Sequence, residues 1–180
     1  MPSYYVYFLS SLPVLWLGAK PPFSFDEFIE KAKGLIPEKD LQIISSIPNV
    51  MENPFHSGGG KPIPPPEWNG WTEFDTALRN EFVKIRATRK KIDAAKYIKE
   101  NNYWDPSISR VAITAYRNPS VLEGEKFLDK ERWNFLDELS LGHYFDIDAL
   151  VIYAIKLLIV IKQNNIETSD KARFLEAALS

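Results

Sequence analysis

Cysteine is absent from the 180 residues of this chain. That excludes a disulfide framework, a thiol nucleophile and a thiolate metal site. Histidine is nearly absent. His56 and His143 are the only two, far apart in sequence, so a zinc centre built from His and Cys is not expected. Charge of one sign is also lacking: 22 basic residues oppose 24 acidic ones, a net charge of -2. Such a balance exerts no global pull on nucleic acid. The apolar run from Ala149 to Ile161 falls short of the roughly 20 residues that span a bilayer, and Lys156 interrupts it. A core helix is the expectation there. The apolar start from Tyr4 to Leu17 lacks a basic leader and contains Pro13, so it does not read as a signal peptide.

Apolar material is plentiful: 45% of the residues are hydrophobic and 13% aromatic, enough for a packed core without metal or disulfide. The periodicity predicts an all-α fold, a bundle of long antiparallel helices with two small subdomains as one form of it. Residues 1–52 read as an N-terminal helical segment, 53–70 as a Gly/Pro-rich loop and 71–180 as the main bundle. Tyr4 to Leu12 fits a short strand or a short buried helix equally. Ser24 and Glu27 have capping-box spacing, with Phe25, Phe28, Ile29, Ala32 and Leu35 or Ile36 recurring behind them. Pro37 opens a second short helix that points Leu41, Ile44 and Ile47 inward and that Pro48 should close.

The longest helix is expected from Thr72 to about Lys91, or on through Ile98, with Phe74, Leu78, Phe82, Ile85 and Ile92 as its stripe. Asp105 and Ser120 should cap two further helices, and Gly142 should end the second of them. Asp146 should cap a last long helix from Ile147 to about Asn164, with a separate short helix over 170–179.

Candidate chemistry is sparse. His56-Ser57-Gly58-Gly59-Gly60-Lys61 resembles a phosphate loop only superficially. Phe55 stands at the first Gly position, Pro62 replaces the hydroxyl residue, and prolines follow where a helix should start. His143, beside Gly142, reads as a capping or packing residue. Glu125 and Asp129 lie one helical turn apart, the spacing of a general acid/base pair, but Arg132 on the same face suits a salt-bridge ladder better. The seven-residue spacing of Arg79 and Arg86 matches that ladder, so these two are expected to pair with Glu125 and Asp129 across two helices. The run Arg86, Arg89, Lys90, Lys91 has no interleaved aromatics, which speaks against single-strand binding. Arg89, Lys90 and Lys91, with Trp68 and Trp71, are candidate partner contacts. Trp16 and Trp104 are further aromatics that would mark an interface if exposed. No cofactor or metal is expected.

Three stretches carry a family resemblance: Tyr4-Tyr5 through Ser10-Ser11-Leu12-Pro13 with Lys20-Pro21-Pro22 and Phe28; Leu78-Arg79-Asn80 with Ile85-Arg86-Ala87; and Glu125, Leu128-Asp129, Arg132-Trp133, Phe135 to Leu139, Gly142 to Asp146 and Tyr153 to Leu157. Together they resemble a bacterial domain-of-unknown-function family encoded among the genes of vacuolar/archaeal-type (V/A-type) ATPases, where the gene for the C-type socket protein would stand. The resemblance implies a non-catalytic, helical, socket-like protein between the central stalk and the membrane proteolipid ring. It implies a cytoplasmic place at the inner face of the cell membrane, reached only through those partners. The C-type socket has three similar helical units, and 180 residues is short for all three. A reduced socket, an assembly or adaptor factor for the same complex, and an enzyme using the Glu125–Asp129 face are the readings that follow.

Overall fold

The structure is a computed structural model that describes residues 3–52 and 69–179. It is all-helical, with no strand among the described residues. The helices are α1 (Ser3–Ser11), α2 (Phe25–Ala32), α3 (Glu38–Ser45), α4 (Ile47–Glu52), α5 (Asn69–Lys90), α6 (Pro106–Arg117), α7 (Val121–Leu139) and α8 (Ile147–Leu179). They form two compact units, Met1–Pro62 with Ser140–Ser180, and Ile63–Leu139. The sequence division put the last helix with the main bundle. In the structure α8 packs instead against α2, α3 and α4.

In the first unit, the ambiguous N-terminal stretch is the helix α1, and Phe8 is the one fully buried residue among those of its side chains that are described. The capping box at α2 forms as its spacing predicts. Ser24 Oγ accepts from Glu27 N at 3.2 Å, and Ser24 N donates to Glu27 Oε2 at 3.1 Å. Phe28, Ala32, Ile36, Leu41, Ile44 and Ile47 all face the core. Pro48 does not close α3. The chain turns at Ser46, and Pro48 occupies the first turn of α4, where its missing N–H has no partner to lose.

The core of this unit is one face of α1 to α4 wrapped on α8. Ala149 to Ile161 belongs to α8, with Leu150, Val151, Ala154, Ile155, Leu157, Ile159 and Val160 buried. That is burial around most of the helix, and it explains the long apolar run. No helix among the described residues is long and apolar enough to cross a membrane. Asp146 caps α8 through Ala149 N at 2.9 Å. The helix then continues to Leu179 without the expected break, because no Pro or Gly interrupts it. Thr168 and Ser169 turn their hydroxyls back to carbonyls one turn earlier.

In the second unit, α5 ends where Lys91 enters the left-handed region at φ 55. Lys91 N donates to Thr88 O and Ile92 N to Ala87 O, the pairing of a Schellman end. Ile92 thereby leaves the apolar stripe and is exposed. The chain then runs back along α5. Asn80 clamps the backbone of Lys99 with two 2.9 Å hydrogen bonds, and Asn101 donates to Glu73 O at 2.7 Å. This return segment lets α6 start near the middle of α5 and run parallel to it, until Arg89 meets Tyr116. Only α7 is antiparallel, with Leu139 beside Gly70. Asp105 and Ser120 cap α6 and α7 as expected.

The α6–α7 crossing depends on Gly124. A Cβ there would lie 2.9 Å from the carbonyl oxygen of Ala115 and 3.7 Å from Asn118 Cβ. The neighbour is backbone and cannot swing aside. Gly124→Ala gains up to about 1 kcal/mol of helix propensity, but forcing the helices apart costs roughly 1–3 kcal/mol. The expected net result is a lower urea midpoint. An unchanged or raised midpoint would show that the crossing yields freely.

Candidate functional site

The strongest side-chain cluster lies between α5 and α7. Asp75 and Arg79 sit one turn apart on α5, and Asp129 and Arg132 sit nearly one turn apart on α7. Asp75 accepts from Arg79 Nε at 2.5 Å and lies 3.6 Å from Arg132 Nε. Arg132 Nη1 also reaches Asp129 Oδ1 at 3.1 Å. Asp129 is 2% exposed. Beside this cluster is an aromatic layer. Phe74 and Phe135 stack at 4.0 Å, and Tyr103 meets both edge-on. Burial, more than nearby Asp105, raises the Tyr103 pKa above 10.0.

The expected cross-helix pairing ran from Arg79 and Arg86 to Glu125 and Asp129. One cross-helix ion pair runs from Arg132 of α7 to Asp75 of α5. Arg86 does not join it; it is exposed, with its guanidinium 6.0 Å from the Phe82 ring. Glu125 is half-buried. Asp75 is the member that sequence reasoning missed, although its four-residue spacing to Arg79 was visible. Burial and the Arg132 contact leave a substrate no approach to Asp129, so the arrangement acts as a polar clasp between helices.

A cleft of about 500 Å³ opens on the other side of α5. Asn80, Glu81, Lys84, Lys99, Trp104 and Asp105 are among its walls. Its polar groups are largely engaged: Asn80 with the Lys99 backbone, Lys84 with Glu81 at 2.5 Å, and Asp105 with Ser107. The Ser107 bonds hold the Asp105 carboxyl below its usual range.

At the start of α8, His143 Nδ1 lies 2.7 Å from Asp146 Oδ2 and 3.4 Å from Asp148 Oδ2. Donor atoms of these three residues lie within 4.8 Å of one another. The H-x-x-D-x-D spacing is the sequence signal for this grouping, which sequence reasoning also missed. The other oxygen of Asp146 caps α8, and the positive helix end opposes a cation. The trio is therefore a reinforced cap, in keeping with the expected capping role of His143. The hydrogen bond to Asp146 raises the His143 pKa above 6.5, despite some desolvation. A raised histidine pKa gives stability that is complete below 6.5 and is lost as pH climbs through the folded value. Asp146→Asn keeps the cap but should return the His143 NMR titration midpoint towards 6.5. An unmoved midpoint would contradict this assignment.

No protein-family model, curated protein or solved structure matches this chain.

Large apolar side chains left at the surface are the remaining feature. Trp16 is 69% exposed, with Tyr7 and Val14 also out, in the first unit. Trp104 is 84% exposed in the second. Trp71 is not the surface contact expected; it is 5% exposed and packs on Phe74 at 6.0 Å. Its position one turn before Asp75 places it on the buried face of α5. Trp68 and most of the Gly/Pro-rich stretch, including the phosphate-loop look-alike, lie outside the described residues. Arg89, Lys90 and Lys91 are exposed, as a contact requires.

Proposed function

We propose that this protein is a non-catalytic interaction component of a V/A-type rotary ATPase, a helical linker similar to the C-type socket between central stalk and proteolipid ring. The observation that carries the reading is the exposure of Trp16, Tyr7 and Val14 in one unit and Trp104 in the other. Large aromatics supply most of the binding energy where proteins associate, and water is a poor environment for them. The specific complex comes from the sequence resemblance. Residues that carry it meet within each unit: Tyr153 with Pro13 and Phe28, and Arg132 with Asp129. These contacts build helix packing, which suits a torque-bearing spacer. Burial also raises the Tyr153 pKa, as fits a hydroxyl committed to the Pro13 carbonyl at 2.9 Å.

The test is affinity capture of the tagged chain from membranes of its own host at native expression. Near-stoichiometric recovery of central-stalk and catalytic-head proteins is the expected result. Transient, substoichiometric recovery would favour the assembly or adaptor role. Recovery of no ATPase component in mild detergent and low salt would overturn the reading. It would turn attention to the half-buried Glu125.

A further inference from the structure

The parallel course of α5 and α6 brings both helix C-termini to one end of the second unit. Arg86, Arg89, Lys90 and Lys91 from α5 stand there with Arg117 of α6, all exposed. The 3.1 Å hydrogen bond from Arg89 Nη1 to Tyr116 Oη ties the two ends together. Arg79 and Lys84, earlier on α5, are paired with Asp75 and Glu81. Among the described residues no ion pair involves any of the five terminal cations. Basic residues in a last turn offset the helix dipole, and this accounts for Arg89, Lys90 and Arg117 at their helix ends. It does not account for Lys91. Among the described residues it is the non-glycine with positive φ, at the end position where glycine avoids the strain of a Cβ. It retains a cationic side chain there at a conformational cost. Nor does the dipole explain the apolar groups beside the cations. Val121 is 83% exposed, and Ile92 and Tyr116 are also out.

We infer that this basic–apolar end of the second unit is a docking surface for an acidic protein segment that carries aliphatic side chains. Charge complementarity selects the partner. Five clustered cations stand on a chain whose net charge is -2. A nucleic acid would need a series of flat faces on which successive bases stack, whereas Ile92 and Val121 are aliphatic and Tyr116 is the one ring among these apolar groups. An anionic bilayer would have to accept the carboxylates of Asp93, beside Ile92, and Glu123, in the first turn of α7. A protein segment can offer carboxylates to the cations and aliphatic side chains to Ile92 and Val121. Lys91, in its left-handed turn, directly precedes the exposed Ile92. The inference does not depend on the rotary-ATPase reading, because the surface is tested on the isolated chain.

The probe is a fluorescein-labelled amphipathic peptide of Glu and Leu at helical spacing, followed by fluorescence anisotropy. Wild type should bind it, more weakly as salt rises, because exposed charges are screened. Lys90→Glu/Lys91→Glu/Arg117→Glu should weaken binding about tenfold or more, with helical circular dichroism retained. If that variant loses helicity, Lys90→Gln/Lys91→Gln should show a smaller loss in the same direction. Failure of wild type to bind the peptide would overturn the inference. So would an affinity that neither variant changes. Preferential binding of single-stranded oligouridylate or of phosphatidylserine vesicles, lost in the same variants, would assign the surface to a different partner and overturn it equally.

Discussion

Phe28→Ala is expected to destabilise the first unit by roughly 3–5 kcal/mol, the usual cost of emptying a buried phenylalanine site. Phe28 is fully buried. Its ring touches those of Phe8, Phe23, Phe25 and Tyr153 at centroid distances of 5.6 to 6.2 Å. Four rings from three parts of the chain cannot all close on the same void, so little of the lost contact is recovered. Urea unfolding should show a much lower midpoint with an unchanged slope. Phe25→Ala, at a half-buried position on the same helix, should lose far less. Equal losses would mean that the ring cluster is not the centre of this core.

Arg132→Ala should destabilise the second unit by about 3 kcal/mol, because it removes a cation that reaches two buried carboxylates, Asp75 and Asp129. Asp75 would keep Arg79 at 2.5 Å, but Asp129 would lose the 3.1 Å contact from Arg132. Removing both members, as Asp129→Leu/Arg132→Met, should restore much of the loss, since a buried ion pair and a well-packed apolar pair are often similar in energy. A double-mutant cycle measures the coupling directly. A loss below about 1 kcal/mol in the single variant would put the pair in the class of surface salt bridges.

The sequence announces local structure wherever the signal is local. Ser24, Asp105, Ser120 and Asp146 each cap the helix they precede, because a cap is satisfied within three or four residues of itself. Reading fails where a feature depends on distant residues. Pro48 looks like a stop and is in fact a helix start, a choice that depends on the turn at Ser46. The candidate clasp was legible in part: Arg79, Asp129 and Arg132 stood out, but Asp75 emerged only when α5 and α7 were brought together. Trp71 and Trp104 look alike in sequence, yet one is buried and the other is the most exposed large apolar residue described.

Composition and periodicity alone determined that the chain is helical, that it holds no disulfide, and where most of its helices begin. These properties depend on residue identity and on contacts a turn away. Tertiary structure decided which helices share a core, that α8 joins α2 to α4, and that α6 runs parallel to α5. It also decided that the basic residues at the ends of α5 and α6 gather in one place. The physical reason is the same in each case: burial and ion pairing depend on which surfaces meet, and the pattern along one helix does not specify its neighbour.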